Sequence, residues 1–246
     1  MVAAPPTRSP KPIRHGVARA ISKLGLGSRT QAGLWVREGR VRVNGCVVRD
    51  SEFPVRAGLD TVEVDGQYAA PARRLVLMLN KPRGLVTTAK DEKGRATVYS
   101  CLAEAKLPWL APVGRLDKAS EGLLLFSNDS VWAARITDRA TGPDKFYHVQ
   151  IDRLLDASLL AKLVRGAVVD GEHLTVKSAR GLRAGVKNAW LEIVLDEGRN
   201  RQIRRLLATF EVSVLRLVRV AIGPVSLGKL PQGKWRLLTE EEIASL

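Results

Sequence analysis

One stretch of the sequence, VGRLDKASEGLLLFSND at residues 113–129, constrains the fold most strongly. Its uninterrupted apolar run, residues 123–126, is bounded by turn-forming residues and is typical of a strand buried in a sheet. Arg115 and Asp117 lie on the loop immediately before that run. Asp117 could be an ordinary turn residue that caps the backbone. A carboxylate fixed beside the end of a buried strand and near arginines also stays ionised, and can act as a nucleophile or as a base.

The composition favours a folded protein that binds nucleic acid. The chain has 246 residues, which suits two domains, and 45% of them are hydrophobic, which is enough for a substantial core. The formal net charge of +15 is typical of a nucleic-acid-binding protein. An acidic membrane surface is the other partner that such a charge suits. No segment approaches the ~18 uninterrupted apolar residues of a spanning helix, and no short basic amphipathic helix stands out, so we expect no membrane partner.

Cysteine and histidine residues are few and scattered. They are Cys46, Cys101, His15, His148 and His173. Their spacing argues against a disulfide framework and against a metal site. Residues 1–13 contain four prolines and lack the apolar segment of a secretory signal. We therefore expect a disordered basic tail there and a cytoplasmic protein.

Residues 14–66 are predicted to form a small helix-helix-strand domain. The pattern predicts a helix over residues 16–24, a helix capped by Ser28 and ending at Gly39, a strand at 41–43, a hairpin turn at Asn44 and Gly45, and a strand within residues 60–66. Basic side chains dominate its first half: Arg14, Arg19, Lys23, Arg29, Arg37, Arg40 and Arg42. These charges could be a solvated helical face, but their clustering around two short helices favours a surface that follows RNA phosphates.

A predicted linker at residues 67–74 leads into a larger domain, residues 75–246. Predicted strands begin at Leu75, with a turn at residues 80–84, and recur at 146–151, 173–178, 189–195 and 213–220; helices are predicted at 131–139, 158–164 and 200–210. Strands outnumber helices and do not alternate regularly with them. The predicted fold class is therefore α+β, with a mainly antiparallel mixed sheet flanked by helices.

The segment EGRNRQIRRLLATF, residues 197–210, predicts an amphipathic helix with a basic side. Arg201, Arg204 and Arg205 share that side, opposite Ile203, Leu206, Leu207 and Phe210. The arginines could lie on a plain surface helix. They could also grip phosphates, with one of them paired to a catalytic carboxylate.

Strand alternation in KFYHV, residues 145–149, places Lys145, Tyr147 and Val149 on one face. Tyr147 could be an ordinary core residue. Its ring could equally be a platform for a base that has left its stack.

Two regions of the chain resemble known families. SRTQAGLWVREGRVRVNG, residues 28–45, resembles the S4 RNA-binding domain. Four later motifs, LNKPRG, GRLDKASEGLLLFSND, KFY and EGRNRQIRR, occur in the order typical of pseudouridine synthases, and the resemblance covers the chain apart from its basic tail. Within them the chain is similar to the branch of bacterial ribosomal small-subunit pseudouridine synthase A and its large-subunit relatives B, E and F. The form GRNRQIRR is more similar to the large-subunit members.

The resemblance implies a function and a set of site residues. It implies isomerisation of a uridine in ribosomal RNA to pseudouridine without a cofactor or metal, with Asp117 as the nucleophile, Tyr147 stacked on the base and Arg204 paired with Asp117. Other basic residues of the motifs are expected to contact RNA: Lys81, Arg115, Lys145, Arg199, Arg201 and Arg205. The ribosomal subunit or an assembly intermediate is the implied partner, and a monomer is the expected state.

Other interpretations stay open on the sequence alone. The same surfaces would suit a non-catalytic RNA-binding protein that assists ribosome assembly, although such a protein would not need Asp117, Tyr147 and Arg204 together. A uridine in transfer RNA is another substrate that the resemblance permits. The chain departs slightly from the family pattern, with Ser127 for a threonine, Leu206 for a methionine and Glu211 for a glycine. Of these, Glu211 is expected to affect the turn after the arginine helix.

Overall fold

The structure, a computed structural model, describes residues 14–69 and 73–246. The predicted tail at residues 1–13 and residues 70–72 of the predicted linker lie outside the described residues. The chain folds as two compact units. Of the described residues, the first unit takes in those up to Arg73 together with Leu107–Trp109, and the second takes in Arg74–Lys106 and Leu110–Leu246.

The first unit contains two short helices and six short strands. They are β1 (Arg14–Gly16), α1 (Val17–Lys23), α2 (Arg29–Arg37), β2 (Val41–Val43), β3 (Cys46–Val47), β4 (Pro54–Arg56), β5 (Val62–Val64) and β6 (Gln67–Tyr68). The Ser28 side chain accepts a hydrogen bond from Gln31 N and so caps α2, as the sequence predicts. Asn44 and Gly45 have φ angles of 51° and 80°, the left-handed pair that a tight hairpin turn requires.

Two sheets and both helices share one core in this unit. Strands β3, β2, β5 and β6 form a four-stranded sheet in that order, and β1 pairs with β4. Val17, Ile21 and Val36 from the helices pack with Val41 and Val62 from the sheet, all nearly or fully buried. The β1–β4 pair is not predicted from the sequence because neither three-residue strand shows an alternating pattern long enough to recognise.

The second unit contains the remaining elements. They are β7 (Val76–Lys81), a 3-10 helix (Val98–Leu102), β8 (Ala111–Val113), β9 (Glu121–Ser127), α3 (Ser130–Thr137), β10 (Lys145–Ile151), α4 (Ala157–Arg165), β11 (Ala167–Val169), β12 (Glu172–Leu174), β13 (Ser178–Ala184), β14 (Ala189–Leu195), α5 (Gln202–Thr209), β15 (Val214–Ile222), β16 (Val225–Ser226), β17 (Trp235–Leu237) and α6 (Glu240–Ser245). The α+β fold class is confirmed.

A nine-stranded sheet organises the second unit. Its main path runs β13-β14-β10-β15-β9-β7-β17, while β16 pairs with β15 and β8 pairs with β9. The β9–β15 pairing is parallel and the other pairings in this sheet are antiparallel. The interior strand β9 is buried along its whole length, and residues 123–126 have no exposed surface. The apolar run at residues 123–126 is therefore the buried strand that the sequence predicts.

The SND sequence after this run joins the end of β9 to helix α3. The Ser127 hydroxyl donates to Leu75 O, and Asn128 Oδ1 accepts from Leu75 N. Asp129 caps α3 by accepting hydrogen bonds from the backbone of Val131 and Trp132. The serine that replaces the family's threonine thus keeps a hydroxyl bonded to the backbone.

One local difference from the sequence prediction has a clear cause. The pattern predicts one strand over residues 173–178, but β12 ends at Leu174 and a new strand begins at Ser178. The tight turn at Asp170 and Gly171, with φ angles of 51° and 78°, pairs β12 with β11, and β11 has only three residues, so the pairing ends at Leu174. The Asp-Gly dipeptide is the sequence signal for this turn. Glu211 also adopts a left-handed conformation, with φ of 56°, at the position where the family pattern has glycine.

Strand β9 approaches β15 closely at Gly122. Gly122 has a φ of 99° and lies opposite Arg219 in the parallel pairing. A Cβ atom there would lie 2.9 Å from Arg219 N and 3.0 Å from its carbonyl carbon, and closer still to Arg219 O. Since these are backbone atoms of a paired strand, they cannot move aside without disturbing the sheet.

We expect Gly122→Ala to be much more destabilising than Gly84→Ala. Both glycines have a φ of 99°, but a Cβ at Gly84 meets no atom within 4 Å. The shared backbone strain costs roughly 1–3 kcal/mol, and the collision at Gly122 adds about 1–3 kcal/mol. Urea denaturation of both variants measures the difference. Equal losses in free energy of unfolding would contradict the close approach at Gly122.

Candidate active site

A cavity of about 390 Å³ lies in the second unit beside the N-terminal end of β9. It is bounded by the loop before β9, by β10 and β15, and by the turn that precedes α5. Residues that line it include Asp117, Ser120, Lys145, Tyr147, Arg201 and Arg219. The structure therefore brings the aspartate, the tyrosine and basic residues of three separate sequence motifs to one cavity.

The loop that carries Asp117, residues 114–120, is held mainly through its backbone. Leu116 N donates to Thr87 Oγ1, and that hydroxyl donates in turn to Leu116 O over 2.7 Å. Ser120 N donates to Asp117 O, which closes a turn directly after the aspartate. Because the backbone is fixed in this way, the Asp117 carboxylate projects from a rigid support with a third of its side chain exposed.

The buried side chain of Lys81 also supports the loop that carries Asp117. Its side chain has no exposed surface, and its ammonium group donates to three carbonyl oxygens, those of Pro82, Asp117 and Ser120, over 2.8–3.1 Å. Burial lowers the pKa of Lys81 to about 8, although the charges of Asp117 and Glu121 oppose that shift. The prediction that Lys81 contacts RNA is wrong, because a fully buried ammonium group cannot reach a phosphate.

The ion-pair partner of Asp117 differs from the one inferred from the family pattern. Arg201 Nη1 lies 3.8 Å from Asp117 Oδ2. Arg204 instead donates to Val214 O and to Ala119 O, at 3.2 and 3.0 Å. Burial, and then the charge of Arg201, lower the pKa of the Arg204 guanidinium. In this structure the assignment of the ion pair to Arg204 is therefore wrong, and Arg204 holds the backbone of the Asp117 loop.

Arg201 reaches Asp117 because its backbone is in a left-handed conformation. Its φ of 50° and ψ of 30° place it just before α5, at the N-cap position, without a side-chain cap. Such a conformation costs a non-glycine residue roughly 1–2 kcal/mol and is enriched at functional sites. The helical wheel predicts Arg201 to lie within the helix. Because the predicted helix begins at residue 200, the prediction gives Arg201 a helical backbone and misses its left-handed conformation.

Strand β10 supplies Lys145 and Tyr147 to the cavity from the shared face that the alternating pattern predicts, and that face is buried. Tyr147 is 8% exposed and lies between Ile193 and Arg219 on the neighbouring strands. Lys145 Nζ donates to Asp196 O, and burial, with a smaller contribution from Arg219, lowers its pKa. Lys145 is thus a wall of the cavity, not an outward-facing phosphate contact.

The other predicted RNA contacts of this unit differ in their exposure and in their ion pairs. Arg115 is exposed, and Arg199 is ion-paired with Glu197 at 2.8 Å. Arg205 binds Asp170 and Glu172 at 3.0 and 2.8 Å. Two exposed carboxylates therefore hold the guanidinium of Arg205 in this structure, and its contact with RNA stays a prediction.

The first unit keeps most of its predicted basic surface. Four of the predicted RNA contacts are exposed and form no ion pair with another described residue: Arg19, Arg29, Arg37 and Arg42. Arg40 is exposed as well, but it is ion-paired with Glu38 and Asp65 and lies 5.6 Å from the centroid of the Trp35 ring. Lys23 Nζ is 2.9 Å from His15 Nε2. Of the six RNA contacts predicted in this unit, the first four arginines are thus the ones whose charge is free for RNA phosphates.

Arg219, Ser120 and Gln202 are site residues that the sequence reasoning did not identify. Arg219 and Ser120 are 6% and 1% exposed and line the cavity. Gln202 is buried and ties the turn before α5 to Thr175 O and Glu197. The sequence does carry a signal for Arg219, since a charged residue at an inward position of a strand is unusual.

The described part of the chain has neither a metal-binding cluster nor a membrane-spanning helix. Residues 14–69 and 73–246 contain no group of three or more His, Cys, Asp or Glu side chains arranged to hold a metal ion. Over the same ranges, none of the helices has the length and apolar character needed to cross a membrane.

Comparisons with known proteins match this chain to pseudouridine synthases. A family described as RNA pseudouridylate synthase matches residues 75–209, and the S4 domain family matches residues 17–60. A protein of Aquifex aeolicus named as an uncharacterized RNA pseudouridine synthase is 37% identical over 94% of this chain and 92% of its own length.

Two further relatives carry a more specific name, ribosomal large subunit pseudouridine synthase B. The Bacillus subtilis protein is 32% identical over 93% of each chain. The Pseudomonas aeruginosa protein is 33% identical over 94% of this chain, which spans 61% of that longer protein. A crystal structure of a pseudouridylate synthase superposes with a TM-score of 0.66 at 28% identity, covering 94% of this chain and 99% of the other.

The burial of the Lys81 ammonium group predicts how the free energy of unfolding changes with pH. Its pKa is about 8 in the folded protein and near 10.5 in the unfolded chain. Between these values the unfolded chain binds more protons, so this group's contribution to the free energy of unfolding rises with pH, by up to about 1.4 kcal/mol per pH unit.

The measurement is urea denaturation of wild type and Lys81→Met across pH 6–10. The difference between the two free energies of unfolding should be flat up to about pH 7.5 and should increase in favour of wild type above about pH 8. A difference that stays constant or falls across the upper range would contradict a buried, proton-releasing Lys81.

Proposed function

The chain belongs to the RNA pseudouridylate synthase family, and on that premise we propose that it isomerises a specific uridine of large-subunit ribosomal RNA to pseudouridine. The enzyme class follows from the family. The choice of ribosomal RNA, and of the large subunit, is supported by the two relatives named ribosomal large subunit pseudouridine synthase B.

One observation carries the chemical part of the proposal. A single cavity is lined by a partly exposed carboxylate with a cation 3.8 Å away and by a nearly buried tyrosine on its strand wall. The cation lies close enough to interact with the charge of the carboxylate, and the rigid loop fixes the position of Asp117. A carboxylate positioned in this way is suited to act as the nucleophile.

The proposed reaction exchanges one bond for another within a nucleotide. The bond between the ribose anomeric carbon and uracil N1 breaks, a bond from the same carbon to uracil C5 forms, the C5 proton leaves and N1 gains a proton. The target base must first leave its stack, because no side chain reaches the glycosidic bond inside a helix. Asp117 attacks either the anomeric carbon or the uracil ring, and the stacked Tyr147 ring holds the loosened base. We propose no cofactor, since the exchange consumes no oxidant or group donor.

The supporting residues divide into two roles in this proposal. Arg201 interacts with the charge of Asp117 and is the residue closest to the reaction. Arg204 and Lys81 act through the backbone, since they bind the carbonyl oxygens of Ala119, Asp117 and Ser120. They are positioning residues, whose removal displaces the loop instead of changing the reacting groups.

RNA binding is divided between the two units in this proposal. The exposed arginines of the first unit, which matches the S4 domain family, bind phosphates and contribute affinity that depends on salt. Arg115 and Arg201 are exposed residues of the cavity lining and contact the backbone next to the target nucleotide. Unstacking a base costs a few kcal/mol, which these contacts offset.

We expect Asp117→Asn to abolish tritium release from ribosomal RNA that carries uridine labelled at C5. The amide keeps the size of the side chain but is a poor nucleophile and carries no charge. Asp170→Asn is the matched control: it also removes one carboxylate from the second unit, but from an exposed hairpin. Release by Asp117→Asn at the wild-type rate would remove Asp117 from the mechanism.

The same assay identifies the substrate. Transcripts of large-subunit ribosomal RNA, small-subunit ribosomal RNA and transfer RNA are compared, and pseudouridines are mapped in a strain that lacks the protein. An unchanged pseudouridine map in that strain, together with no release from any transcript, would favour the assembly-factor function.

The roles of the two arginines are separated by measuring activity and stability together. Arg201→Gln should lower kcat about tenfold, since a charge contact worth about 1.4 kcal/mol in the transition state corresponds to one decade, and should leave the free energy of unfolding nearly unchanged. Arg204→Met should lower that free energy by about 2 kcal/mol or more, because Ala119 O and Val214 O lose their donor. A stable Arg204→Met variant as inactive as Asp117→Asn would instead make Arg204 the partner of the reacting carboxylate.

A further inference from the structure

The candidate active site contains buried polar atoms that nothing in the protein satisfies. Among the described residues, four side-chain N or O atoms are buried without a hydrogen-bond partner, and two of them, Ser120 Oγ and Arg219 Nη2, belong to residues that line the cavity. An unsatisfied buried donor costs about 1–3 kcal/mol, and more when it is charged. Folded proteins satisfy most such groups with a protein partner, an ordered water or a ligand.

Arg219 is held in place by one side of its guanidinium group. Its Nε donates to Leu123 O over 2.7 Å, and this bond orients the group while leaving Nη2 without a partner. Arg216, three residues earlier on β15, shows the ordinary alternative, since it forms an ion pair with Glu121 at 2.8 Å. None of the ion pairs between residues of the described ranges involves Arg219. Its charge is therefore buried without an opposite charge in contact.

Arg219 lies next to Tyr147 and on the strand that pairs with β9, and it lines the same cavity as Asp117. In the β10–β15 pairing it is directly opposite Tyr147, and residues directly opposite in an antiparallel pair share a face. On its other side it pairs with Gly122 of β9, the strand that the Asp117 loop leads into. A uracil ring on Tyr147 would therefore lie next to the Arg219 guanidinium.

Uracil is a suitable ligand for these unpaired donors. It carries two carbonyl oxygens, O2 and O4, which accept hydrogen bonds. These oxygens also take up negative charge during the reaction: if the glycosidic bond breaks, its electron pair stays on the ring, and if Asp117 adds to the ring, an enolate forms. A buried, pre-oriented cation is most effective at the point where such charge develops.

Resting on the function proposed above, we propose that Arg219 is a catalytic residue that donates a hydrogen bond from Nη2 to a carbonyl oxygen of the target uracil and stabilises the negative charge on that ring. Ser120 Oγ supplies a second, neutral hydrogen bond in the same cavity. The close approach at Gly122 keeps β15 near enough to the Asp117 loop for this contact.

The first test distinguishes stabilisation of the transition state, measured by kcat, from binding of the RNA, measured by KM. Arg219→Met should lower kcat in the tritium-release assay about 10²–10³-fold, the usual loss for one buried donor to a developing charge. KM for the RNA should change less than about threefold, because phosphate contacts elsewhere supply most of the affinity. Arg219→Lys, which keeps the charge, should recover at least about tenfold of the lost kcat. Arg183→Met removes an exposed arginine from β13 of the same sheet and is the matched control.

The second test uses the substrate to detect the contact itself. RNA is prepared with 2-thiouridine or 4-thiouridine at the target position, each tritiated at C5. A sulfur atom accepts a hydrogen bond poorly, so one of these substitutions should slow the wild type, have little additional effect on Arg219→Met and have a smaller effect on Arg219→Lys than on the wild type. If the losses multiply for both thio substitutions in both variants, Arg219 contacts neither oxygen and the proposal is wrong. The Lys variant keeps this test usable if Arg219→Met does not fold.

The failure of this inference is distinguishable from that of the proposed function. An active wild type and an inactive Asp117→Asn, combined with a near-normal kcat in Arg219→Met, would overturn the role of Arg219 alone. No tritium release by wild type from any RNA would overturn the pseudouridine synthase function, and the role of Arg219 with it.

Discussion

The ammonium group of Lys81 binds three backbone carbonyl oxygens inside the second unit, and the geometry of the candidate active site depends on that contact. Two of the three oxygens belong to Asp117 and Ser120, the residues that begin and end a tight turn. Arg204 binds the carbonyl of Ala119, which lies between them. Two cations thus hold neighbouring peptide groups of one loop, so the carboxylate is positioned by its own main chain and its side chain stays available for chemistry.

The basic character of the chain therefore serves several purposes that a count of charges does not distinguish. Some cations are structural, such as Lys81 and Arg204, which bind carbonyl groups. Others are neutralised by carboxylates, such as Arg205 on the β11–β12 hairpin and Arg216 beside Glu121. The exposed arginines of the first unit are the part of the positive charge that suits RNA phosphates. Arg219 belongs to none of these groups, because it is buried, oriented and without a carboxylate of the described residues in contact.

The sequence predicted the fold class, most of the longer elements and the motifs that meet at the cavity. The buried strand after Asp117 followed from its apolar run, which reports burial directly, and strand alternation placed Lys145 and Tyr147 on one face of β10. The partners of individual arginines did not follow, because they depend on where a long side chain ends and not on where its backbone lies. Arg201 illustrates this limit: its left-handed backbone turns it toward Asp117, and a helical wheel assumes that no such residue is present. Arg219 was missed because apolar residues occur on both faces of its strand, so the sequence does not show which face points inward.

The parallel junction between β9 and β15 has a consequence for how the unit opens. It consists of two residue pairs, Val218 with Glu121 and Arg219 with Gly122, and it joins β13-β14-β10-β15 to β9-β7-β17. Each of these strand groups has longer antiparallel pairings of its own. A fluctuation that separates them therefore leaves most cross-strand hydrogen bonds in place, yet it parts the tyrosine from the aspartate. Hydrogen exchange of the amides in this junction would then report how often the cavity opens. Exchange elsewhere in the sheet would report unfolding of the whole unit.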